Sequence, residues 1–223
     1  MKIKENINQY ITENKNFYFT LVAVSKNHPA EAIKEAYETG QRDFGENKVQ
    51  ELTEKQAMLP KDIKWHLVGH LQRNKVKYIA PFIHLIHSVD SLDLLKEINK
   101  EAKKNKRVIN CLLQVYIAKE ESKFGLEEQE AENLLNNPEL NNLQHINITG
   151  LMGIATNTED KDTIRQEFSL LKGLFEKWKN KYARENVSFT ELSLGMSSDY
   201  KIALEEGSTM IRIGTAIFGN RNY

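Results

Sequence analysis

Lys26 closes the apolar run LVAVSK (residues 21–26) and is followed at once by the turn residues NHP. A charged lysine at the exit of a buried strand is costly unless something pairs with it. Arg212 lies in a second such run, MIRIGTAIFG (210–219), with Gly214 and Thr215 directly after the strand pattern. A third segment, LSLGMSSDY (192–200), sets Gly195, Ser197 and Ser198 between a strand pattern and a helix pattern. Glycine lets backbone N–H groups approach an anion closely, and a helix N-terminus favours a phosphate. A lysine whose pKa is lowered by burial or by nearby positive charge is a nucleophile towards aldehydes. An amine for an aldehyde and a nest for a phosphate together describe pyridoxal 5′-phosphate (PLP). The plainer alternatives are a Gly214 that only relieves crowding at a bend and a Ser197 that only caps a helix.

Eight strand patterns must position these groups: residues 19–26, 42–47, 64–70, 84–90, 108–117, 146–154, 189–196 and 210–219. Several are apolar throughout, as in strands buried on both faces of a parallel sheet. Helix patterns alternate with them. Residues 30–39 end at Gly40, a C-cap residue, and residues 91–104 follow Asp90 as N-cap. In residues 161–182, Ile164, Phe168, Leu171, Phe175, Trp178 and Tyr182 repeat at helical spacing and read as a core-facing stripe. Alternating strands and helices over residues 1–223, with no low-complexity linker, predict a single-domain α/β protein, a (β/α)8 TIM barrel. A doubly wound open sheet is the alternative.

In such barrels the site forms at the C-terminal ends of the strands. Strand parity puts Thr20, Val22, Val24 and Lys26 on one face, and Met210, Arg212 and Gly214 on one face, with Ile211 and Ile213 opposite. Because the first and last strands of a closed barrel are neighbours, Lys26 and Arg212 converge at one mouth. Like charges about 4 Å apart at an effective dielectric of ~20 repel by ~4 kcal/mol. An anionic ligand, or loss of the lysine proton, relieves this.

Lysine plus arginine equals aspartate plus glutamate, 31 of each, so nothing favours a nucleic-acid or anionic-membrane partner. One cysteine, Cys111, excludes an internal disulfide, and no apolar run approaches membrane-spanning length; a cytoplasmic protein is expected. No metal is expected: on a strand His66 and His70 share a face but His84 and His87 do not, and no carboxylate adjoins either pair in the sequence. The run KKNKR (103–107) reads as the solvated end of a helix. Lys123, just past the fifth strand, is either a solvated lysine or a second amine that relays cofactor away from Lys26.

Five ordered landmarks resemble the PLP homeostasis proteins, the proline synthetase co-transcribed or alanine-racemase-like N-terminal domain family. They are VAVSK (22–26), DFGENKVQE (43–51), WHLVGHLQRNK (65–75), LSLGMSSDY (192–200) and GSTMIRIGTAIFG (207–219). His70 departs from the pattern, which has a small residue or proline there. The resemblance implies a barrel like the PLP-binding half of alanine racemase (fold type III) and a Schiff base on Lys26. It implies phosphate held by Ser197 and the N–H groups of Gly214 and Thr215, and Arg212 against the pyridine nitrogen. Asn47, His66 and Met196 are implied as cofactor neighbours. An arginine there does not readily lend a proton, so the ring is a weaker electron sink. A racemase also needs a base opposite Lys26. In alanine racemases that tyrosine comes from a second domain, whereas this chain stops at Tyr223; Tyr116, Tyr200 and Tyr223 are the substitutes on offer. The implied role is therefore a monomeric carrier that buffers PLP or delivers it transiently to apo-enzymes, with a PLP-dependent amino-acid racemase as the alternative.

Overall fold

A computed structural model describes residues 2–118 and 124–219; Lys123 and Tyr223 lie outside them. The strands are β1 (Thr20–Val24), β2 (Asp43–Glu46), β3 (Lys64–Leu67), β4 (Leu85–Val89), β5 (Ile109–Gln114), β6 (Ile146–Met152), β7 (Val187–Ser193) and β8 (Met210–Ile213). All neighbours are parallel, the order is the chain order, and β8 closes on β1 with Val22 beside Arg212. The helices are α1 (Lys2–Glu13), α2 (Ala30–Tyr37), α3 (Val49–Met58), α4 (Val76–Ile79), α5 (Leu92–Lys104), α6 (Glu128–Asn136), α7 (Lys161–Lys181), α8 (Tyr200–Glu205) and α9 (Thr215–Phe218). This is the expected TIM barrel.

Alternation along the strands divides the apolar residues into two cores. Inside the barrel Val22, Val24, Leu85, Leu112, Met152 and Met210 pack together. Outside it Leu21, Ala23, Ile211 and Ile213 join the layer between strands and helices. The stripe on α7 is buried in that layer from Ile164 to Tyr182, as its spacing requires.

Three local expectations need correction. β8 stops at Ile213 rather than 219, because Gly214 (φ −114°, ψ −83°) leaves the extended region and starts α9. The N-cap of α5 is Ser91, whose Oγ accepts the Leu94 N–H at 3.3 Å, not Asp90. Within KKNKR, Arg107 is not merely solvated: it donates to the carbonyls of Ala80 and Ile83, both at 2.7 Å. Among the described residues no helix is long and apolar enough to cross a membrane.

The β7–β8 junction is joined in an unusual way. Ser193 and Met210 form its register pair, while the Leu192 N–H donates to the Thr209 hydroxyl at 2.8 Å and the Leu194 N–H is shared between the Met210 carbonyl at 3.1 Å and Ser208 Oγ at 3.2 Å. Hydroxyl groups here do part of the work of a backbone ladder.

At Gly150 the register of β6 against β7 shifts; its φ is +154°, and a Cβ would lie 1.8 Å from the Glu191 carbonyl oxygen. Gly150→Ala should cost about 3 kcal/mol or more, seen as a lowered urea midpoint. Gly173, on the exposed side of α7 with open space around it, is the contrast: Gly173→Ala should raise stability by about 0.5–1 kcal/mol in the same measurement.

Candidate functional site

Lys26 follows β1 and is held by a clamp on its two chain neighbours. Lys55, reaching from α3, is buried and donates to the Ser25 carbonyl (2.8 Å), to Glu46 Oε1 (2.7 Å) and to Glu51 Oε1 (2.7 Å). Those three bonds use every N–H of its ammonium. Ser25 Oγ donates to the same Glu46 oxygen at 2.6 Å, and Glu51 accepts the Asn27 N–H at 2.6 Å. Asn27 turns the chain with φ 64°, a region asparagine tolerates better than most residues. Lys26 thus sits between two anchored residues, and its own side chain enters the mouth of the barrel.

That mouth is a cavity of ≈ 280 Å3. The structure brings Lys26, Asn47, Met196, Ser197, Arg212, Gly214 and Thr215 into its lining, all of them expected. It adds His28, Ser198 and the apolar Val24, Val68 and Ile154. No carboxylate lines it among the described residues. Ser198 is visible in the LGMSSDY segment; His28, two residues past Lys26, has no sequence signal beyond its nearness to that lysine. The N–H groups of Thr215 and Ala216, in the first turn of α9, have no intrahelical acceptor. Gly214 keeps this turn close to β1, since a Cβ there would come within 3.1 Å of the Val24 carbonyl. Opposite it, the Ser197–Ser198 loop is closed by Asp199, whose Oδ1 accepts the Met196 N–H at 2.6 Å. Neither serine is the N-cap of α8; Asp199 holds that position.

Arg212 forms the floor. It is buried, and its Nη1 donates to Ser193 O (2.8 Å) and Oγ (2.6 Å) while Nη2 donates to Gly153 O (2.9 Å). Burial pulls its pKa down to about 10, against the attraction of Asp199, so it stays cationic at neutral pH.

From Arg212 a polar chain descends the barrel. Ser193 Oγ lies 3.1 Å from His87 Nδ1, His87 Nε2 lies 2.9 Å from His66 Nδ1, and His66 Nε2 lies 3.1 Å from Asp43 Oδ1. Arginine can only donate and a carboxylate can only accept. For neutral rings the Asp43 end sets the direction: His66 donates to Asp43, His87 to His66, and Ser193 to His87. Full burial, with the nearby positive charge of Arg212, holds His87 well below the usual histidine range. Burial raises the Asp43 pKa, but the His66 hydrogen bond and nearby positive charges outweigh it and leave the carboxyl below its ordinary range.

His66 is thus not brought to the cofactor mouth, where the resemblance would place it. It is fully buried one layer down, and Val68, two residues on and on the same face, lines the cavity instead. The pair His66–His70 is not formed either: His70 lies beyond β3, stacks on Phe124 at 4.7 Å and pairs with Asp90 at 3.3 Å. Tyr200 packs against Tyr10 outside the barrel, and neither it nor Tyr116 lines the cavity. Lys123 and Tyr223 are outside the described residues.

The donor set points to an anion with an electrophilic carbon. The family model for the alanine racemase N-terminal domain matches residues 2–222. The chain belongs to this family. A pyridoxal phosphate homeostasis protein of Aquifex aeolicus is 40% identical over 91% of this chain and 87% of that protein. PipY of Synechococcus elongatus, solved with PLP bound, is 38% identical with a TM-score of 0.87 and covers 97% of this chain and 100% of PipY. An alanine racemase from Bartonella henselae, 15% identical, shares the fold with a TM-score of 0.73 and covers 100% of this chain and 61% of the racemase. In this member of the family, the clamp around Lys26 has a titration of its own.

Burial raises Glu46 from 4.5 to about 7, against the opposing pull of Lys55 and Ser25. Between those values the folded protein holds a proton that the unfolded chain releases. The Glu46 contribution to stability should therefore fall by up to about 1.4 kcal/mol per pH unit as pH rises through that window, and level off above it. Urea unfolding at about pH 5 and pH 7.5 checks this: the stability difference between wild type and Glu46→Gln should shift in favour of Glu46→Gln at the higher pH.

Proposed function

We propose that the chain binds PLP at this mouth, with Lys26 Nζ as the amine that takes the aldehyde, and that it stores and hands on the cofactor in the cytoplasm. The observation that carries the reading is the lining itself: one lysine amine, one buried arginine and a ring of hydroxyl and backbone donors around a space that no carboxylate lines among the described residues. The names of the relatives and the PLP seen in PipY support it. Bound PLP supplies an electron-withdrawing ring and a carbonyl that condenses with amines.

The residues divide the work. Ser197, Ser198 and the first N–H groups of α9 take the phosphate. Arg212 faces the pyridine nitrogen as a donor and, being charged at neutral pH, leaves that nitrogen without a proton. Asn47 and Met196 flank the ring. Val24, Val68 and Ile154 give one side of the cavity an apolar wall that excludes water. We infer a monomer that meets apo-enzymes transiently and delivers the cofactor by amine exchange at Lys26.

A racemase needs a proton donor and acceptor on the face opposite Lys26. No tyrosine lines the cavity among the described residues, which disfavours that reading.

Purified protein mixed with PLP should gain a visible absorption band, and borohydride should fix the label on the peptide holding Lys26. Lys26→Ala should lose both. Label on another side chain, or no band, defeats the assignment. Loaded protein should restore activity to an apo-PLP enzyme. Conversely, rapid deuterium exchange at the α-carbon of free amino acids that vanishes in Lys26→Ala would make the protein an enzyme.

A further inference from the structure

The opposite mouth of the barrel holds a group of side chains that cofactor binding does not use. Asp43 opens β2, His84 immediately precedes β4, and His66 is inside β3. Their donor atoms all lie within 4.8 Å of one another. We propose that Asp43, His66 and His84 form a binding site for a first-row divalent transition ion of the zinc class.

The geometry is close to what such an ion requires. Two ligands about 2.1 Å from a tetrahedral ion are about 3.4 Å apart. His66 Nε2 and Asp43 Oδ1 are already 3.1 Å apart. The His66 and His84 rings are 5.3 Å apart between centroids and tilted by 56°, so they do not stack and each can aim a nitrogen at a common point. His84 is exposed, and a rotation of its side chain closes the remaining gap. Two histidines and one carboxylate leave a fourth position for water, on the side open to solvent.

The surroundings suit a ligand set as well. A ligating histidine needs its other nitrogen held, and His66 Nδ1 is held by His87 at 2.9 Å. An ion on Nε2 requires the ring proton on Nδ1. Reversing the two hydrogen bonds between His66 and Ser193 supplies it with the same number of protons on the two rings; the Ser193 hydroxyl then accepts from His87 and turns its own proton away. Of the nearby cations, Arg107 is committed to the Ala80 and Ile83 carbonyls. Lys64, the register neighbour of Asp43, is exposed and can swing clear.

Chelator-treated protein should bind Zn2+ with one-to-one stoichiometry in competition with a chromophoric chelator, and Co2+ should give a visible d–d difference band. His84→Ala, at an exposed position that leaves the core intact, should weaken Zn2+ binding by at least ~10-fold and abolish the Co2+ band, and so should Asp43→Asn. His70→Ala, at the other mouth, should change neither. The proposal is overturned if wild type binds neither ion, if binding survives in both His84→Ala and Asp43→Asn, or if it is lost in His70→Ala instead. None of these readouts involves PLP, so failure here and failure of the cofactor assignment are separate results.

Discussion

Putting a guanidinium inside a barrel is the demand from which much of this interior follows. A buried cation without acceptors costs several kcal/mol, so Arg212 must be surrounded by oxygen. It finds two carbonyls and a hydroxyl, on Ser193 and Gly153. The hydroxyl, in turn, needs an acceptor, which is His87; His87 needs one, which is His66; and the series ends only at the carboxylate of Asp43. One buried charge thus orders a line of side chains from one mouth of the barrel towards the other. The apolar plug of Val22, Val24, Leu85, Leu112, Met152 and Met210 fills the rest of the bore.

The second constraint concerns the two lysines near the end of β1. Lys55 is taken up by Glu46 and Glu51 behind the strand, whereas Lys26 stands in a cavity lined by no acid among the described residues. Lys55 takes one oxygen of each carboxylate, Glu46 Oε1 and Glu51 Oε1. The same bonds tie the Ser25 carbonyl and the Asn27 N–H, so the backbone on both sides of Lys26 is pinned. A nucleophile needs position as much as basicity, and this arrangement separates the two tasks between two residues.

Much of this was legible in the chain, because period-two alternation survives in strands. The facing of Lys26, Arg212 and Gly214, and the outward facing of Ile211 and Ile213, follow from parity alone. Depth does not: parity puts His66 on the inner face but cannot say that Val68 reaches the rim in its place. The end of β8 was hidden because TAIF continues the apolar run of MIRI and differs only in backbone angles. Helix α1 carries Ile3, Ile7, Tyr10 and Ile11 at helical spacing, a legible period; Ile7 is buried, and Ile3 and Tyr10 pack against the core. The clamp was hidden because Lys55 and Glu46 lie on different elements, and a charge in sequence does not name its partner. The same holds for Asp43, which is 23 residues from His66 yet bonded to it.

The hydroxyl-joined junction between β7 and β8 has a further consequence. Elsewhere in the barrel, neighbouring strands are held mainly by groups that every residue possesses, so a substitution leaves the fastening in place. Between β7 and β8 part of the fastening is the chemistry of Ser208 and Thr209. Both halves of the proposed phosphate nest hang from this seam, the Gly195 turn on one side and Gly214 on the other. The spacing between those halves consequently depends on two small side chains that do not line the cavity. Exchanging a hydroxyl for a methyl there would loosen or narrow the grip without altering a single residue of the lining.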